Sequence, residues 1–515
     1  MKRKVPVMLA LVLVLTMLVG NISIGDGNFN ETGMPIVNET ITLKVMQYIR
    51  DTDAITMDGL WYPEHLEEST NIHIEYTQVN QSDWETQVNL MFASGDYADV
   101  IVNGGTIQTE MYGVDQGILI PVDDLIDQYM PIYKERLEAS PLTGAALIKS
   151  DGKMYSIGRI ADYGSNCNGE FFINQTWLDE LGLATPTNTD ELYEVLKAFV
   201  ASGNGRIGYE GTFDEMTSYF LHLWGIPENS YRFSVTDDKQ AVLNCTQPGY
   251  REAIEYLNKL YTEGLMDPAS ITQDSNSKIS KYNENNVGLT TMHRLKSMGW
   301  DILEQDMVHL MPPAAEGYSP KFYSLFSAAS ECVMISCTNP YPEATARWID
   351  YQLEDQVTFE SFYGPEGVLW NWNDEHKCEL GPAGDQGVME YALGVCGIYY
   401  LPAYYYNTVF QQPDYRQERI EYCETYSELG YIEKYPLAYA RNLAPLTADD
   451  AATIERTYAN IKALYDQAVA DMIMNGVTDE KWESFLNNMQ NAGAEDYIGV
   501  YQKALDAYFA ANPDA

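Results

Sequence analysis

Residues 171–202 read FFINQTWLDELGLATPTNTDELYEVLKAFVAS, and this stretch decides the fold class. Phe171, Phe172 and Ile173 form a short apolar run that reads as the end of a strand. A helical turn follows from Trp177 to Leu181, with Gly182 as its stop. Pro186 breaks the chain, and Thr187 or Thr189 can cap a new helix. Thr187 with Asp190 three residues on fits the loose capping-box pattern. That helix has one apolar face, because Leu192, Val195, Leu196, Phe199 and Val200 recur at helical spacing. A strand followed by two helices is a piece of a packed α/β domain. No catalytic chemistry is visible in it.

Towards the N-terminus the same alternation continues. A strand begins at Ile41 (ITLKVMQY), a loop runs from Ile49 to Met57, and a helix is expected near Leu60–Ser69. A second strand spans Asn71–Val79, and a helix runs from about Asp83 to Ser94, stopped by Gly95-Asp96. Asp99–Val102 is a short buried strand that runs into Asn103-Gly104-Gly105. This β-α-β-α-β order predicts a mainly parallel sheet. Ligands of open α/β sheets bind beyond the carboxyl ends of the strands. That rule points to Ile49–Asp53 and Asn103–Thr106, and so to Arg50, Asp51 and Asn103 as ligand contacts. Asp151-Gly152 is a turn before alternating strand residues. The polar loop Asp162–Glu170 adds Asn166, Asn168 and Glu170 as candidates, with plain turn chemistry as the competing reading.

Towards the C-terminus, Pro248–Pro268 holds an amphipathic helix with Ile254, Leu257, Leu260 and Tyr261 on one face, stopped at Gly264. Val287–Met292 is a strand running into His293 and, beyond it, Trp300. A strand at Cys332–Ser336 and the helix EATARWIDYQL follow. Trp370 and Trp372 alternate, so in an extended segment they point the same way, either to a ligand or under a loop. The last stretch is helical over Thr453–Asn475, Asp479–Gln490 and Glu495–Ala511. No internal repeat is present.

Composition narrows the function. Lys2, Arg3 and Lys4 precede an apolar run from Val5 to Val19, the pattern of a signal peptide (1–25), with an uncleaved N-terminal anchor as the competing reading, and 26–40 reads as a flexible tether. The mature chain, about 490 residues, has room for two or three domains. The net charge is −44, from 31 basic and 75 acidic residues, and becomes −47 once the three leading basic residues are lost. Such a surface repels nucleic acid and anionic lipid. Seven widely spaced cysteines, an odd number with no CxxC pair, read as buried free thiols rather than a disulfide scaffold or zinc site. No HExxH, GxSxG or Walker A pattern occurs. A glycan-active enzyme would need a placed carboxylate pair, which a chain with 75 acids does not exclude. Thirty-nine tyrosines and nine tryptophans suit both core packing and stacking on sugar faces.

Several of these stretches resemble the solute-binding proteins of ABC importers, and most closely the family 1 carbohydrate-binding lipoproteins of Gram-positive bacteria (the LplA-like group). The opening stretch resembles "N-x-x-W/L-L-D-x-L-G-L-x-x-P-T-x-x-D-E-L", and FASGDYADVIVNGG resembles "ASGDxxDxxxxN". Leu119–Leu125 resembles "G-x-L-x-P-L-D-D-L", and Asp151–Ile157 resembles "DGKxYxxP". REAIEYLNKLYTEGLMDP is similar to "A-x-x-Y-x-x-K-L-Y-x-E-G-L-I-D-P", and the helix before Leu353 to "HPEAAxRWxDY". Gly364–Asn373 resembles "G-x-E-G-x-x-Y-x-W", and the terminal helices resemble the family's closing segment.

The resemblance implies a two-lobed, periplasmic-binding-protein type II α/β architecture with C-terminal helices. It implies lobe one at 41–157, lobe two at 158–325, a return largely to lobe one at 326–400, and a helical segment at 401–515 packing across the lobes. The implied function is capture of a carbohydrate, an oligosaccharide first, in an interlobe cleft and delivery to a membrane ABC permease. A peptide or other solute is the alternative within the fold. Met292, His293, Trp300 and Trp224 become lobe-two ligand contacts, with an ordinary surface histidine as the other reading of His293. The implied protein is a secreted monomer at the extracellular face of the membrane, without cofactor, metal or nucleic-acid partner. Two departures stand out. Asn21 occupies the place of the family's lipobox cysteine, which puts a lipid anchor in doubt. Ala201–Glu210, where the family often has a calcium loop, offers one amide and one carboxylate with Arg206 between them, so no calcium site is expected there.

Overall fold

The computed structural model describes residues 27–49, 56–80, 82–102, 107, 109–160, 170–292, 306–323, 330–381, 409–411, 414–435 and 446–513. Two sheets organise it. Sheet one contains β1 (Ile41–Ile49), β2 (Ile72–Asn80), β3 (Val100–Val102), β4 (Ile157–Arg159) and β11 (Ser330–Ile335) in the order β2-β1-β3-β11-β4. Sheet two contains β5 (Glu170–Asn174), β6 (Ile207–Glu210), β9 (Val287–Met292) and β10 (Met307–Leu310) in the order β10-β5-β9-β6. Among the described residues two hairpins complete the set: β7 (Phe233–Val235) with β8 (Ala241–Leu243), and β12 (Trp370–Trp372) with β13 (Cys378–Leu380).

In sheet one, β1 pairs in parallel with both β2 and β3, as the β-α-β-α-β order requires. The return strand β11 inserts antiparallel between β3 and β4. Helices cover both faces, so the central strand VIV is buried throughout. Val100 and Val102 join Leu43, Val45, Val333 and Trp348 on one side, while Ile101 meets Met46, Trp84, Phe92 and Met334 on the other.

The opening stretch folds as read, with one change. β5 ends at Asn174, whose side chain caps the helix Gln175–Leu181, and Gly182 closes that helix at φ 64°. The next helix, Thr189–Ala201, is capped by Asn188 rather than by Thr187 or Thr189. Asn188 Oδ1 accepts from Glu191 N (2.9 Å), and Thr189 already lies inside the helix. Thr187 instead donates its hydroxyl to the Glu191 carboxylate (2.8 Å). Leu192, Val195, Leu196 and Phe199 are buried against Phe171, Ile173, Tyr209 and Leu289. Gly208 on β6 is required by close approach, since a Cβ there would lie 2.2 Å from the Leu265 carbonyl oxygen.

Three segments behave differently from their sequence reading. Residues 27–39 fold back onto lobe one instead of forming a free tether. Ile36 and Val37 are fully buried, Asn71 Nδ2 donates to Val37 O (3.0 Å), and Arg347 donates to the carbonyls of Gly33 (2.9 Å) and Asn30. Polar and glycine-rich composition hides these two aliphatic anchors. The described C-terminal helices, Ala448–Asn475, Asp479–Asn491 and Ala494–Ala511, pack into the lobe-two core through Tyr465, Val469, Phe485 and Tyr497. The sequence reading had them packing across the lobes. The helix Asp414–Glu428 falls in the helical segment expected at 401–515, but it is too polar to show an apolar stripe, so the sequence gives it no bounds. Cys245, Cys332, Cys378 and Cys423 are buried free thiols, and Cys337 is an exposed one.

Candidate functional site

Strand direction places one edge of each sheet where the chain crosses between them. In sheet one, β1, β2, β3 and β4 all end at the same edge, where β11 begins, as the pairing of Ser330 with Arg159 shows. The segments leaving that edge carry Arg50, Asp51 and Asn103, and after Ile160 the crossing that carries Asn166 and Asn168. All five residues lie outside the described residues. In sheet two, β6, β9 and β10 end where β5 begins. Glu170 is opposite Met292, Glu210 is opposite Thr290, and Phe171 is opposite Leu310. The segment after Met292 carries His293 and Trp300, which also lie outside the described residues.

Within the described part, the structure brings Glu170 and Met292 together as neighbours on adjacent strands. Glu170 is fully buried and accepts from Arg419 Nε (2.7 Å). Glu210, at the end of β6, is also fully buried. Its Oε1 accepts from Gln273 Nε2 (2.5 Å) and lies 3.4 Å from Lys281 Nζ. Lys281 in turn donates to Gln273 Oε1 (2.6 Å) and pairs with Asp267. Burial pushes the Glu210 carboxyl up to about 7, although the Gln273 amide and the Lys281 ammonium oppose the shift. Hydroxyls fill the rest of this edge: Tyr209 with Thr291 (2.9 Å) and Tyr282 with Thr290 (2.6 Å). In sheet one, the start of β11 holds a smaller cluster. There Glu331 accepts from Thr109 Oγ1 (2.7 Å) and pairs with Lys149.

Two of the predicted aromatics are core residues. Trp224 is buried in lobe two against Tyr256, with ring centres 5.2 Å apart. Trp370 is fully enclosed beside Phe359, and its indole N–H is already used by Gly364 O (2.8 Å). Neither offers a face to a ligand. Trp372 does point the same way as Trp370, at 5.3 Å, but is only half-buried. It stacks on His376 and donates to Gln356 Oε1 (2.8 Å). Arg419, Glu210, Lys281 and Glu331 were missed by sequence reasoning. A single carboxylate among 75 acids carries no local signal, and the Glu170–Arg419 pair spans 249 residues. In the expected calcium-loop position, Arg206 lies over the Trp177 ring (4.3 Å), donates to Ser202 Oγ (3.0 Å) and pairs with Glu180.

The profile described as bacterial extracellular solute-binding protein matches residues 53–358. The fructooligosaccharide ABC transporter substrate-binding protein FusA of Streptococcus pneumoniae is 26% identical over 477 residues, 87% of each chain. The structure of FusA in complex with kestose superposes with a TM-score of 0.77 at 25% identity, covering 91% of this chain and 100% of that one. A solute-binding protein described as binding HMO and associated with an ABC transporter, from Bifidobacterium longum infantis, has the same fold. Its TM-score is 0.77 at 20% identity, over 91% of this chain and 99% of that one.

Proposed function

This chain belongs to the bacterial extracellular solute-binding proteins, and from that premise we propose that it captures an oligosaccharide outside the cell and presents it to an ABC permease. Its family and its relatives are binding components of transporters, not enzymes. The observation that carries the sugar assignment is the match to FusA over 87% of each chain, a protein whose name states fructooligosaccharide transport. The ligand would lie between the two carboxyl edges. Arg50, Asp51 and Asn103 would come from sheet one, and Asn166, Asn168, Met292, His293 and Trp300 from the crossing and lobe two. Glu170 would support them from below, and Trp372 is the remaining tryptophan on the return segment. Rings would stack on sugar faces while amides and carboxylates bond hydroxyls. Closure of the lobes would favour the liganded form by population shift, and the closed monomer would dock on the permease. Asn21 at the lipobox position leaves retention at the membrane to something other than a lipidated cysteine there.

The experiment is a thermal-shift and calorimetric screen against kestose and longer oligosaccharides, with oligopeptides alongside. A hundredfold excess of ligand over Kd adds about 2.7 kcal/mol of stability. A shift with an unaltered sugar, weakened by Trp300→Ala without loss of fold, is the expected result. A shift with peptides alone overturns the sugar assignment and keeps the importer. Release of sugar products without a shift overturns the binding function.

A further inference from the structure

The helix Asp414–Glu428 reads DYRQERIEYCETYSE and shows no apolar stripe, yet it is held against the binding edge of sheet two. Arg419, Tyr422 and Tyr426 recur at the spacing of one helical face. Arg419 Nε reaches Glu170 at the start of β5 (2.7 Å). The Tyr422 ring stacks on His309 of β10, with centres 3.6 Å apart and planes inclined by 9°. The Tyr426 hydroxyl pairs with His309 Nε2 (2.9 Å), and its ring stacks on Phe322 (4.9 Å). One helix face therefore grips β5, β10 and the segment leaving lobe two. In sequence this helix follows residues 409–411, where Phe410 packs with Phe359, Tyr363 and Trp370 in a cluster separate from the lobe-two core.

We infer that Arg419 is a positioning residue for the ligand site. Glu170 begins β5 and lies opposite Met292, which ends β9, so the Glu170–Arg419 pair stands at the root of both segments proposed to carry ligand groups. The Glu170 side chain is 1% exposed and that of Arg419 15%, so the pair is largely shielded from solvent. Removing the guanidinium takes a charge-assisted hydrogen bond away from an enclosed carboxylate, and the strand ends that this bond ties to the helix should loosen. The inference rests on the binding function proposed above only for its consequence in affinity. The positioning itself is a property of the free protein.

The test uses the full chain as Arg419→Gln, Arg419→Lys and the double variant Glu170→Gln/Arg419→Gln. Hydrogen exchange is measured without ligand, and kestose binding by calorimetry. In Arg419→Gln, exchange at Phe171 and Thr291 should rise about tenfold while Val45 and Ile101 of sheet one stay unchanged. Arg419→Lys should recover part of this protection, and the double variant part of it as well, since the enclosed carboxylate is removed together with its guanidinium partner. The kestose Kd should rise about tenfold in Arg419→Gln, chiefly through faster release. Unchanged exchange at Phe171 and Thr291 overturns the inference. So does a rise spread equally over both sheets, which would mark the pair as general fold support. If the unsubstituted protein fails to bind kestose, that sugar is discarded, and the exchange data still decide the role of Arg419.

Discussion

At the carboxyl edge of sheet two, Glu170 and Glu210 are both fully enclosed, whereas at the same edge of sheet one the Glu331 side chain keeps 16% exposure. Sheet one is clamped from both faces by aliphatic and aromatic side chains, and its middle strand contributes three consecutive apolar residues. Sheet two has an apolar underside of the same kind, but its edge is tied by carboxylate, amide, ammonium, guanidinium and hydroxyl groups. Charges taken out of water cost several kcal/mol each unless they are paired and hydrogen-bonded. What such groups provide is direction, because a hydrogen bond fixes an angle where apolar contact does not. Two lobes with one layering thus hold these edges by different physics.

That contrast can be broken most strongly at the apolar underside. Phe171 is fully buried and meets Phe220 edge to face at 5.7 Å, so Phe171→Ala should lower lobe-two stability by about 4 kcal/mol. Denaturant melts followed by tryptophan fluorescence should then show an earlier lobe-two transition, with the sheet-one transition in place. A smaller loss is expected on the other side. A chain starting at Asn38 lacks Ile36 and Val37, both fully buried in lobe one, and should lose about 3 kcal/mol there. An unchanged melt would return residues 27–37 to the status of a tether.

The smallest effect sharpens the contrast through pH. The Glu210 carboxyl titrates higher in the folded chain than in the unfolded one, so folding is favoured with the proton on. Its contribution is complete below the unfolded value and is lost as pH rises towards about 7. Glu210→Gln should therefore remove a decline in stability of about 2 kcal/mol between pH 4.5 and 7.5, read as the difference between the two proteins' melts. Equal slopes would mean that Glu210 stays hydrated.

Much of the fold was legible because it is written in local period. β1, β2, β3 and β9 lie within a residue or two of their sequence boundaries, as do the helices 61–70, 84–94 and 250–262. Asn188 was missed as a cap because Thr187 and Thr189 flank it with equally good oxygens, and only the backbone geometry chooses among them. The helix 414–428 carries no bounds in the sequence because its inward face is Arg419, Tyr422, Cys423 and Tyr426, too polar a set to show as an apolar stripe. Trp224 and Trp370 misled for the opposite reason. Aromatic rings serve cores and sugar sites alike, and burial alone separates the two.

By itself the sequence determined the alternation of strands and helices, the apolar faces that pair them and the family to which the chain belongs. Each of these depends on residues within a turn or two of one another, or on their order along the chain. Only the tertiary structure decided that Arg419 meets Glu170, that Lys281 bridges Asp267 and Glu210, that Lys149 meets Glu331, and that Ile36 and Val37 enter lobe one. Those contacts join segments far apart in the chain, and a charge or an isolated apolar pair leaves no periodic trace from which its distant partner can be read.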